Sequence, residues 1–355
     1  MLLGLALLVS GLALGCGQNA PQTEHKPGGV GPSTSVACDL YSATTGSDSA
    51  PGTRSRPLRT AEGLVRALDR GQTGCFRSGT YAFAVLQLTT PGVTLAPYRD
   101  DAVTLQGEIK VLPGGADSTI EGLNLDGAGG KSSIGPRVYA NGVVLRDNEI
   151  TNEHTGICVH VTQYYSRPDP RRVVIERNRI HDCGELPATN HQHGIYVAHA
   201  VGTVIRDNWI YDNADRGIQL YPDAQHTRVI GNVIDSNGEG IVFSGAGSEV
   251  SSHNLVQGNI ISNSNLRWNV YSGAPGPTAR GNLLRHNCVW AGESSSAYES
   301  RGGVEAHSRN FAANANKVVD PDYSDPDEGD YTLSPQSRCP LAGQGDRPAF
   351  SGPGP

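Results

Sequence analysis

Val143–Ile150 reads VVLRDNEI, and the same pattern returns as VVIERNRI at Val173–Ile180 and TVIRDNWI at Thr203–Ile210. Shorter versions, RVIGNVI, LVQGNII and ARGNLL, continue it to about residue 290. Aligning the segments places six asparagines in register, separated by 30, 30, 24, 27 and 23 residues: Asn148, Asn178, Asn208, Asn232, Asn259 and Asn282. This period leaves no room for a second strand and a packed helix, so each repeat predicts one turn of a solenoid.

A second set of asparagines follows the first by four or five residues: Asn213, Asn237, Asn263 and Asn287. We expect this second set at the corner where one strand bends into the next. Stacked Asn side chains can hydrogen-bond along the solenoid axis there and satisfy backbone groups that a sharp corner leaves unpaired. Their predicted role is structural, because turns favour Asn for local reasons.

The composition agrees with a turn-rich β protein. The 355 residues include 45 Gly but only one Met and five Phe, and 18% are charged. A formal charge of −7 provides no overall field that would attract nucleic acid, so we expect no nucleic-acid partner. An acidic ligand would have to be held by local Arg groups.

The N-terminus predicts export. The apolar run at 2–15 is too short to span a bilayer but fits the core of a signal peptide, predicted at 1–16. The sequence ALGC ending at Cys16 resembles a bacterial lipoprotein box, which would lipidate Cys16 and anchor the protein to the outer surface of a membrane. An ordinary secretory signal is the alternative. Residues 17–36 are rich in Gly, Pro, Ser and Thr and predict a flexible tether.

Beyond Cys16 the chain has an even number of cysteines: Cys38, Cys75, Cys158, Cys183, Cys288 and Cys339. An even number is consistent with disulfides formed in an oxidising compartment. The spacing does not determine the pairing. We expect Cys38–Cys75 at one end of the domain and Cys288–Cys339 at the other.

A short amphipathic helix is predicted ahead of the repeats. Thr60 can cap it, Gly71 can end it, and its apolar positions follow the i, i+3, i+4, i+7 rule: Ala61, Leu64, Val65 and Leu68. Such a helix would cover the open edge of the first strand, which otherwise invites aggregation.

The repeats resemble the right-handed parallel β-helix superfamily, which includes pectate lyases and alginate-active enzymes. YSATTGSD at 41–48 and GTY at 79–81 resemble its opening segment, and GDYTLSP at 329–335 resembles its closing segment. The resemblance implies an all-β fold, a single-domain right-handed parallel β-helix at 37–320 with a short N-terminal capping helix, followed by a closing segment and tail at 321–355. It identifies architecture rather than chemistry.

Two motifs of that superfamily are missing here. The Asp-Pro-His element of alginate epimerases is absent from the aligned stretch RGIQLYP at 216–222, and the closely spaced acidic ligands of pectate lyases are not found. The missing motif does not decide whether the protein binds calcium, so calcium stays open as a cofactor. No other cofactor is predicted.

The second strand of each coil predicts which side chains share a face. The segments are TGICV at 155–159, HGIYV at 193–197, RGIQL at 216–220 and EGIVF at 239–243. Equivalent positions in a parallel coil stack about 4.8 Å apart. One outward column then holds Thr155, His193, Arg216 and Glu239 and continues through Arg267, and a parallel column holds Cys158, Tyr196 and Gln219.

These columns suit β-elimination from a uronic acid polymer. Arginine can neutralise the sugar carboxylate with its bidentate fork, and His193 or Tyr196 can abstract the proton. Glu239 would orient Arg216 or help to bind a metal. The predicted catalytic residues are His193, Tyr196, Arg216 and Glu239, and the predicted substrate-binding residues are His191, Gln219, Tyr221 and Arg267.

Two other functions stay open. A glycoside hydrolase needs two carboxyl groups, for which Glu239 and Asp215 are the best pair. A non-catalytic β-helix would bind glycan or envelope partners on a flatter, aromatic face, and Arg216 with Glu239 would then be an exposed ion pair. The metal ligands are unknown, because NHQH at 190–193 lacks a third ligand. We expect a monomeric, exported protein, secreted or held at the cell envelope, with a polysaccharide partner.

Overall fold

The computed structural model describes residues 37–130, 132, 134–272, 279–292, 296, 298–305 and 310–339. The predicted signal peptide, the lipidation of Cys16 and the tether lie outside the described residues. In the part that is described, no helix is long and apolar enough to cross a membrane.

Short strands account for most of the regular structure. In chain order they are β1 (Leu40–Ser42), β2 (Thr73–Phe76), β3 (Gly79–Leu88), β4 (Thr94–Pro97), β5 (Val103–Val111), β6 (Thr119–Glu121), β7 (Asn124–Asp126), β8 (Arg137–Val138), β9 (Val144–Arg146), β10 (Glu149–Thr151), β11 (Val159–Val161), β12 (Val174–Glu176), β13 (Arg179–His181), β14 (Ile195–Val201), β15 (Val204–Arg206), β16 (Trp209–Tyr211), β17 (Arg216–Gln225), β18 (Arg228–Ile230), β19 (Val233–Asp235), β20 (Glu239–Phe243), β21 (Gly245–Ala246), β22 (Glu249–Val250), β23 (Leu255–Gln257), β24 (Ile260–Ser262), β25 (Val270–Ser272), β26 (Leu283–Arg285), β27 (Cys288–Trp290), β28 (Ala312–Asn314), β29 (Lys317–Val318), β30 (Tyr323–Asp325) and β31 (Asp330–Leu333). The helices are α1 (Ala61–Ala67) and 3-10 turns at Pro113–Gly115, Glu299–Arg301 and Pro326–Glu328.

The strands wind into a right-handed coil with three parallel faces. One sheet of eleven strands runs β1-β2-β4-β6-β9-β12-β15-β18-β23-β26-β28. A second sheet divides at β5, which pairs with β7 through its first half and with β8 through its second. From β7 the sheet continues through β10, β13, β16, β19, β24 and β27 to β29. From β8 it continues through β11, β14, β17 and β20 to β25, and we call these strands, together with β5, the candidate face. The predicted all-β solenoid is confirmed.

Apolar side chains stack inside the coil, one per strand per turn. On the eleven-stranded sheet, Leu145 pairs with Ile175 and Ile175 with Ile205, and all three are fully buried. Each such side chain contributes about 1.5–3 kcal/mol of burial free energy. Because successive coils repeat the same inward position, the core is one continuous stack.

A ladder of buried asparagines runs along one corner. The Asn208 side chain donates to Asn232 Oδ1 at 2.8 Å and to the Ile175 carbonyl at 2.9 Å, and its Oδ1 accepts the Asn178 backbone N–H at 2.9 Å. The residue before the ladder Asn adopts a positive φ, at Asp147, Arg177, Asp207, Gly231, Gly258 and His286. The asparagine therefore satisfies backbone groups that this sharp turn exposes, as predicted.

In the last coil the ladder continues through Asn287 and not through the predicted Asn282. Asn259 bonds to Asn287 at 2.9 Å, whereas Asn282 continues a separate ladder from Asn254. Asn263 lies one residue before the ladder position and takes the positive φ of the turn itself. Asparagines occur at two corners five residues apart, so sequence alone aligned the wrong pair. The strand pairing of Leu255–Gln257 with Leu283–Arg285 decides the register.

The capping helix and the disulfides hold the ends of the coil. Thr60 Oγ1 accepts the Gly63 backbone N–H at 2.9 Å, and α1 ends at its C-cap, Leu68, three residues before the predicted Gly71. Both expected disulfides, Cys38–Cys75 and Cys288–Cys339, are present. A third, Cys158–Cys183, joins neighbouring coils.

Candidate functional site

The register of the candidate face differs from the prediction at one coil. His160 pairs with Arg137 on one side and with Tyr196 on the other, and Tyr196 pairs with Gln219. This register puts His160, not Cys158, in the outward column beside Tyr196. Cys158 forms a disulfide with Cys183 and is fully buried. Thr155 likewise falls two residues short of the position beside His193. TGICV matches the repeat pattern, but β11 begins only at Val159.

Arg216 and Glu239 are brought together at the starts of β17 and β20, where they are register partners. Each precedes a glycine at a close approach of the backbone. A Cβ at Gly217 would lie 2.9 Å from Ile234 Cγ2 and 3.0 Å from the ladder amide of Asn237. The Arg-Gly-Ile and Glu-Gly-Ile sequences thus turn the charged side chain outward while the chain enters the core.

One carboxylate oxygen holds two guanidiniums. Glu239 Oε2 accepts Arg216 Nε at 3.0 Å and Arg267 Nη2 at 3.1 Å. Glu239 and Arg216 side chains are 2% and 11% exposed, whereas that of Arg267 is 52% exposed. In the strand pairing Trp268, not Arg267, aligns with Glu239, so Arg267 reaches the carboxylate from one residue off the predicted register.

Asn190 completes this cluster. Its backbone carbonyl accepts Arg216 Nη1 at 3.0 Å, and its Oδ1 accepts the second nitrogen of Arg216 as well as Arg267 Nη2 at 2.9 Å. Burial lowers the pKa of Arg216, although Glu239 and Asp215 oppose it. The two guanidiniums face Glu239, with the buried Asp215 carboxylate as a second acid close to Arg216, and Arg267 is the solvent-facing cation of the cluster.

Asp215 organises the loop that carries Asn190. Its carboxylate accepts the backbone N–H groups of Asn190, His191 and Gln192 at 2.6, 2.8 and 2.7 Å. Asp215 is 3% exposed, so it is a loop-binding residue rather than a solvent-facing acid. The predicted substrate-binding residue His191 is exposed on this loop.

Three rings form the centre of the face. His160 stacks on Tyr196 with ring centroids 4.7 Å apart, and His193 meets Tyr196 edge-on at 5.4 Å. Burial lowers the pKa of His193 well below its usual value and that of His160 to about 3. Burial raises the pKa of Tyr196 to about 12. All three rings are therefore neutral near pH 7, and a neutral imidazole can accept a proton while a phenol can donate one.

The remaining predicted residues lie around this centre. Gln219 is 4% exposed, and its Oε1 has no hydrogen-bond partner among the described residues. Tyr221 is half-buried on β17. Trp268 and Tyr271 stack in parallel with centroids 6.0 Å apart, at the β25 edge of the candidate face.

The structure adds residues that the sequence interpretation missed. His160 was hidden by the two-residue shift, and Asn190 by its place in a loop, although it is adjacent to the His191 that we singled out. Lys110 and Arg137 stand in the same outward column as His160 and Tyr196. They precede the regular repeats, so only strand pairing reveals them.

No group of three or more metal-ligating His, Cys, Asp or Glu side chains occurs in the described ranges. Two open cavities lie elsewhere. One of about 450 Å³ is lined by Asp223, Glu249 and Arg280 among others, and one of about 550 Å³ by Gln106 and Glu153 among others. Neither of these two is lined by a predicted site residue.

Comparisons with known proteins agree on architecture. The family model described as a right-handed beta helix region matches residues 111–298. The chain is similar to the crystal structure of pectate lyase Pel9A, with TM-score 0.52, 12% identity and 88% and 91% coverage of this chain and that one. It is also similar to a rhamnogalacturonan lyase, with TM-score 0.51, 13% identity and 86% and 96% coverage.

A third similar structure is the complex of XylC with xylose, with TM-score 0.49, 13% identity and 71% coverage of this chain. This chain spans 66% of that protein's length. No curated protein matches by sequence. At these identities the likeness shows the fold alone.

Proposed function

The chain belongs to the right-handed β-helix family, and from that premise we propose that it is a carbohydrate-active protein, a polysaccharide lyase that cleaves a uronic-acid polymer by β-elimination. The observation that carries the proposal is the pair of guanidiniums held on one buried carboxylate beside Tyr196 and His193. Pectate and rhamnogalacturonan lyases among the similar structures support the substrate class.

The first requirement of the reaction is charge neutralisation. Removing the proton beside the carboxylate of a uronate builds negative charge onto that carboxylate, and cationic donors stabilise it. Arg267 is half exposed and can present its remaining N–H groups to a sugar. Arg216 is fixed by Glu239 and Asn190, so its orientation costs little on binding. Glu239 is buried beneath both and acts as a positioning residue.

The second requirement is proton transfer. A base takes the proton, the electron pair forms the carbon–carbon double bond, and the bond to the glycosidic oxygen breaks while that oxygen gains a proton. His193 is the candidate for the first transfer because it is neutral, although burial to 3% exposure also makes it a weaker base, and the Tyr196 phenol, whose raised pKa keeps it protonated, is the candidate for the second. The two rings are in contact.

The alternative functions have less support. The Asp215 carboxylate is occupied by three backbone N–H groups and Glu239 by two guanidiniums, so this pair does not suit glycoside hydrolysis. A binding-only role is favoured by one observation, the stacked rings of Trp268 and Tyr271. Three disulfides support export. Lipidation of Cys16, a calcium cofactor and a monomeric state stay predictions.

The test is turnover of uronate polymers, followed by the ultraviolet absorbance of the unsaturated product. We expect product from polygalacturonate or alginate, and a fall in kcat/KM of more than about tenfold for Arg267→Ala. Arg206→Ala is the matched control, because Arg206 is 50% exposed and pairs with Glu176 across strands of another sheet. Tight binding without product from any polymer would favour the binding-only function.

A further inference from the structure

A second cationic pair lies on the candidate face. Lys110 on β5 and Arg137 on β8 are register partners. Lys110 Nζ lies 3.1 Å from Glu108 Oε2, and Arg137 Nη2 lies 3.6 Å from Glu108 Oε1. The Glu108 side chain is fully buried, and those of Lys110 and Arg137 are 23% and 19% exposed. As with Arg216 and Arg267 over Glu239, two cations lie close to one buried carboxylate, but here each is next to a different carboxylate oxygen.

The charges of this second cluster are only partly satisfied. Neither carboxylate oxygen of Glu108, nor Arg137 Nε, has a hydrogen bond among the described residues. Two cations over one carboxylate leave one net positive charge. Lys110 and Arg137 keep 23% and 19% of their side chains exposed above the buried carboxylate, so their cationic ends can hydrogen-bond to an anion.

The two clusters are connected by the aromatic centre of the face. The sheet order places β11 and β14 between β8 and β17, so three strand spacings, about 14 Å, separate the two clusters along the coil axis. Arg216 lies a further three residues along β17 from Gln219, which is the residue in the column of Arg137. His160 and Tyr196 stand in the column between them, stacked on each other. Both ring nitrogens of His160 are buried without a partner among the described residues. Hydrogen-bonding groups and rings thus fill the interval between two cationic sites.

We propose that Lys110 and Arg137 form a second anionic subsite, and that the ligand is a linear polyuronate lying across the coils from Glu108 to Arg267, with separate carboxylates on the two clusters. A polymer with a carboxylate on successive sugars is the ligand class that can meet both clusters at once. This deepens the proposed function and rests on it for the sugar class.

The test is binding of oligogalacturonates and oligoalginates of increasing length, measured by calorimetry. Wild-type affinity rises with length until an oligomer spans both clusters. E108Q/R137Q removes the bidentate Arg137 guanidinium while it leaves the net charge unchanged and no unpaired buried carboxylate, and the affinity of the long oligomer falls about tenfold. The short oligomer binds as before. E176Q/R206Q, the same double change on the eleven-stranded sheet, leaves both affinities unchanged.

Equal losses for short and long oligomers, no loss for either, or no binding of any uronate oligomer overturns the second subsite. If E108Q/R137Q does not fold, Lys110→Gln keeps Glu108 paired with Arg137 and should show the same selective loss for long oligomers. Turnover separates the two proposals. If E108Q/R137Q loses affinity only for long oligomers and the wild type forms no product, the second subsite is supported and the lyase activity is refuted. If the wild type forms product and the variant binds oligomers of every length as the wild type does, the lyase activity is supported and the second subsite is refuted.

Discussion

Replacing Glu239 with Gln tests whether one buried carboxylate positions both guanidiniums. Its Oε2 accepts two charge-assisted hydrogen bonds, at 3.0 and 3.1 Å. Gln keeps one oxygen acceptor but removes the charge, and Arg216, whose side chain is 11% exposed, then lacks its counter-ion. Breaking a buried pair by removing one partner costs about 3–5 kcal/mol. Since domains are stable by about 5–15 kcal/mol, we expect a folded but weakened protein.

Glu176→Gln is the matched control. Glu176 also accepts from a cross-strand arginine and is itself buried, but its partners Arg206 and Arg177 are 50% and 32% exposed. Their guanidiniums can regain water when the carboxylate is neutralised, so the expected cost is about 1 kcal/mol. The loss in the free energy of unfolding should be larger for Glu239→Gln than for Glu176→Gln by about 2 kcal/mol or more, and this difference reports the cost of leaving the buried Arg216 without Glu239.

Urea unfolding at neutral pH followed by circular dichroism measures both free energies of unfolding. Turnover of the active polymer gives the functional counterpart, and kcat/KM should fall for Glu239→Gln but not for Glu176→Gln. Equal destabilisation by the two variants would refute the claim that Arg216 depends on Glu239. Unchanged turnover in Glu239→Gln would refute its positioning role.

Other variants test the coil itself. Asn208→Ala should lower the free energy of unfolding by about 2–4 kcal/mol because it leaves several buried groups unpaired, whereas exposed, off-ladder Asn314→Ala on β28 should change it by less than about 0.5 kcal/mol; similar losses would contradict the ladder. The double change Cys158→Ser and Cys183→Ser should cost about 3 kcal/mol while the β-sheet circular dichroism is kept; loss of that signal would show that the disulfide is needed for folding. Burial lowers the pKa of His181, but hydrogen bonds to Asp182 and Glu149 outweigh burial and raise it to about 9. Its stabilisation is therefore complete below the ordinary pKa of 6.5 and is lost as pH rises through about 9. His181→Gln should remove that slope from the urea-measured stability, and a slope that persists would assign it to another group.

The sequence predicted the coil because its repeats carry local rules that do not depend on distant contacts. Inward apolar residues and corner asparagines recur whatever the loops between them do. Register failed where a loop intervenes, as at Thr155 and Cys158, since a gap of variable length hides which residue of a pattern enters the strand. Only the pairing of Val159 with Ile195 resolves it.

Within the candidate site, Arg216 and Glu239 were predictable because they lie only 23 residues apart in consecutive coils with matching Gly-Ile sequences. Asn190 was not, because it reaches the cluster from a loop held by Asp215. Lys110 and Arg137 were not either, because the coils that carry them lack the repeat signature. Contacts made by loops and by atypical coils depend on tertiary packing, which a local pattern does not encode.

Because neighbouring strands lie about 4.8 Å apart, distances along the coil axis come in multiples of that spacing. In the direction of the coil axis, two groups on the same face are separated by a whole number of coils, and Arg137 and Arg216 are three strand spacings apart in that direction. Point substitutions can change what stands on each strand. Matching a polymer with a different repeat would require gaining or losing a whole coil.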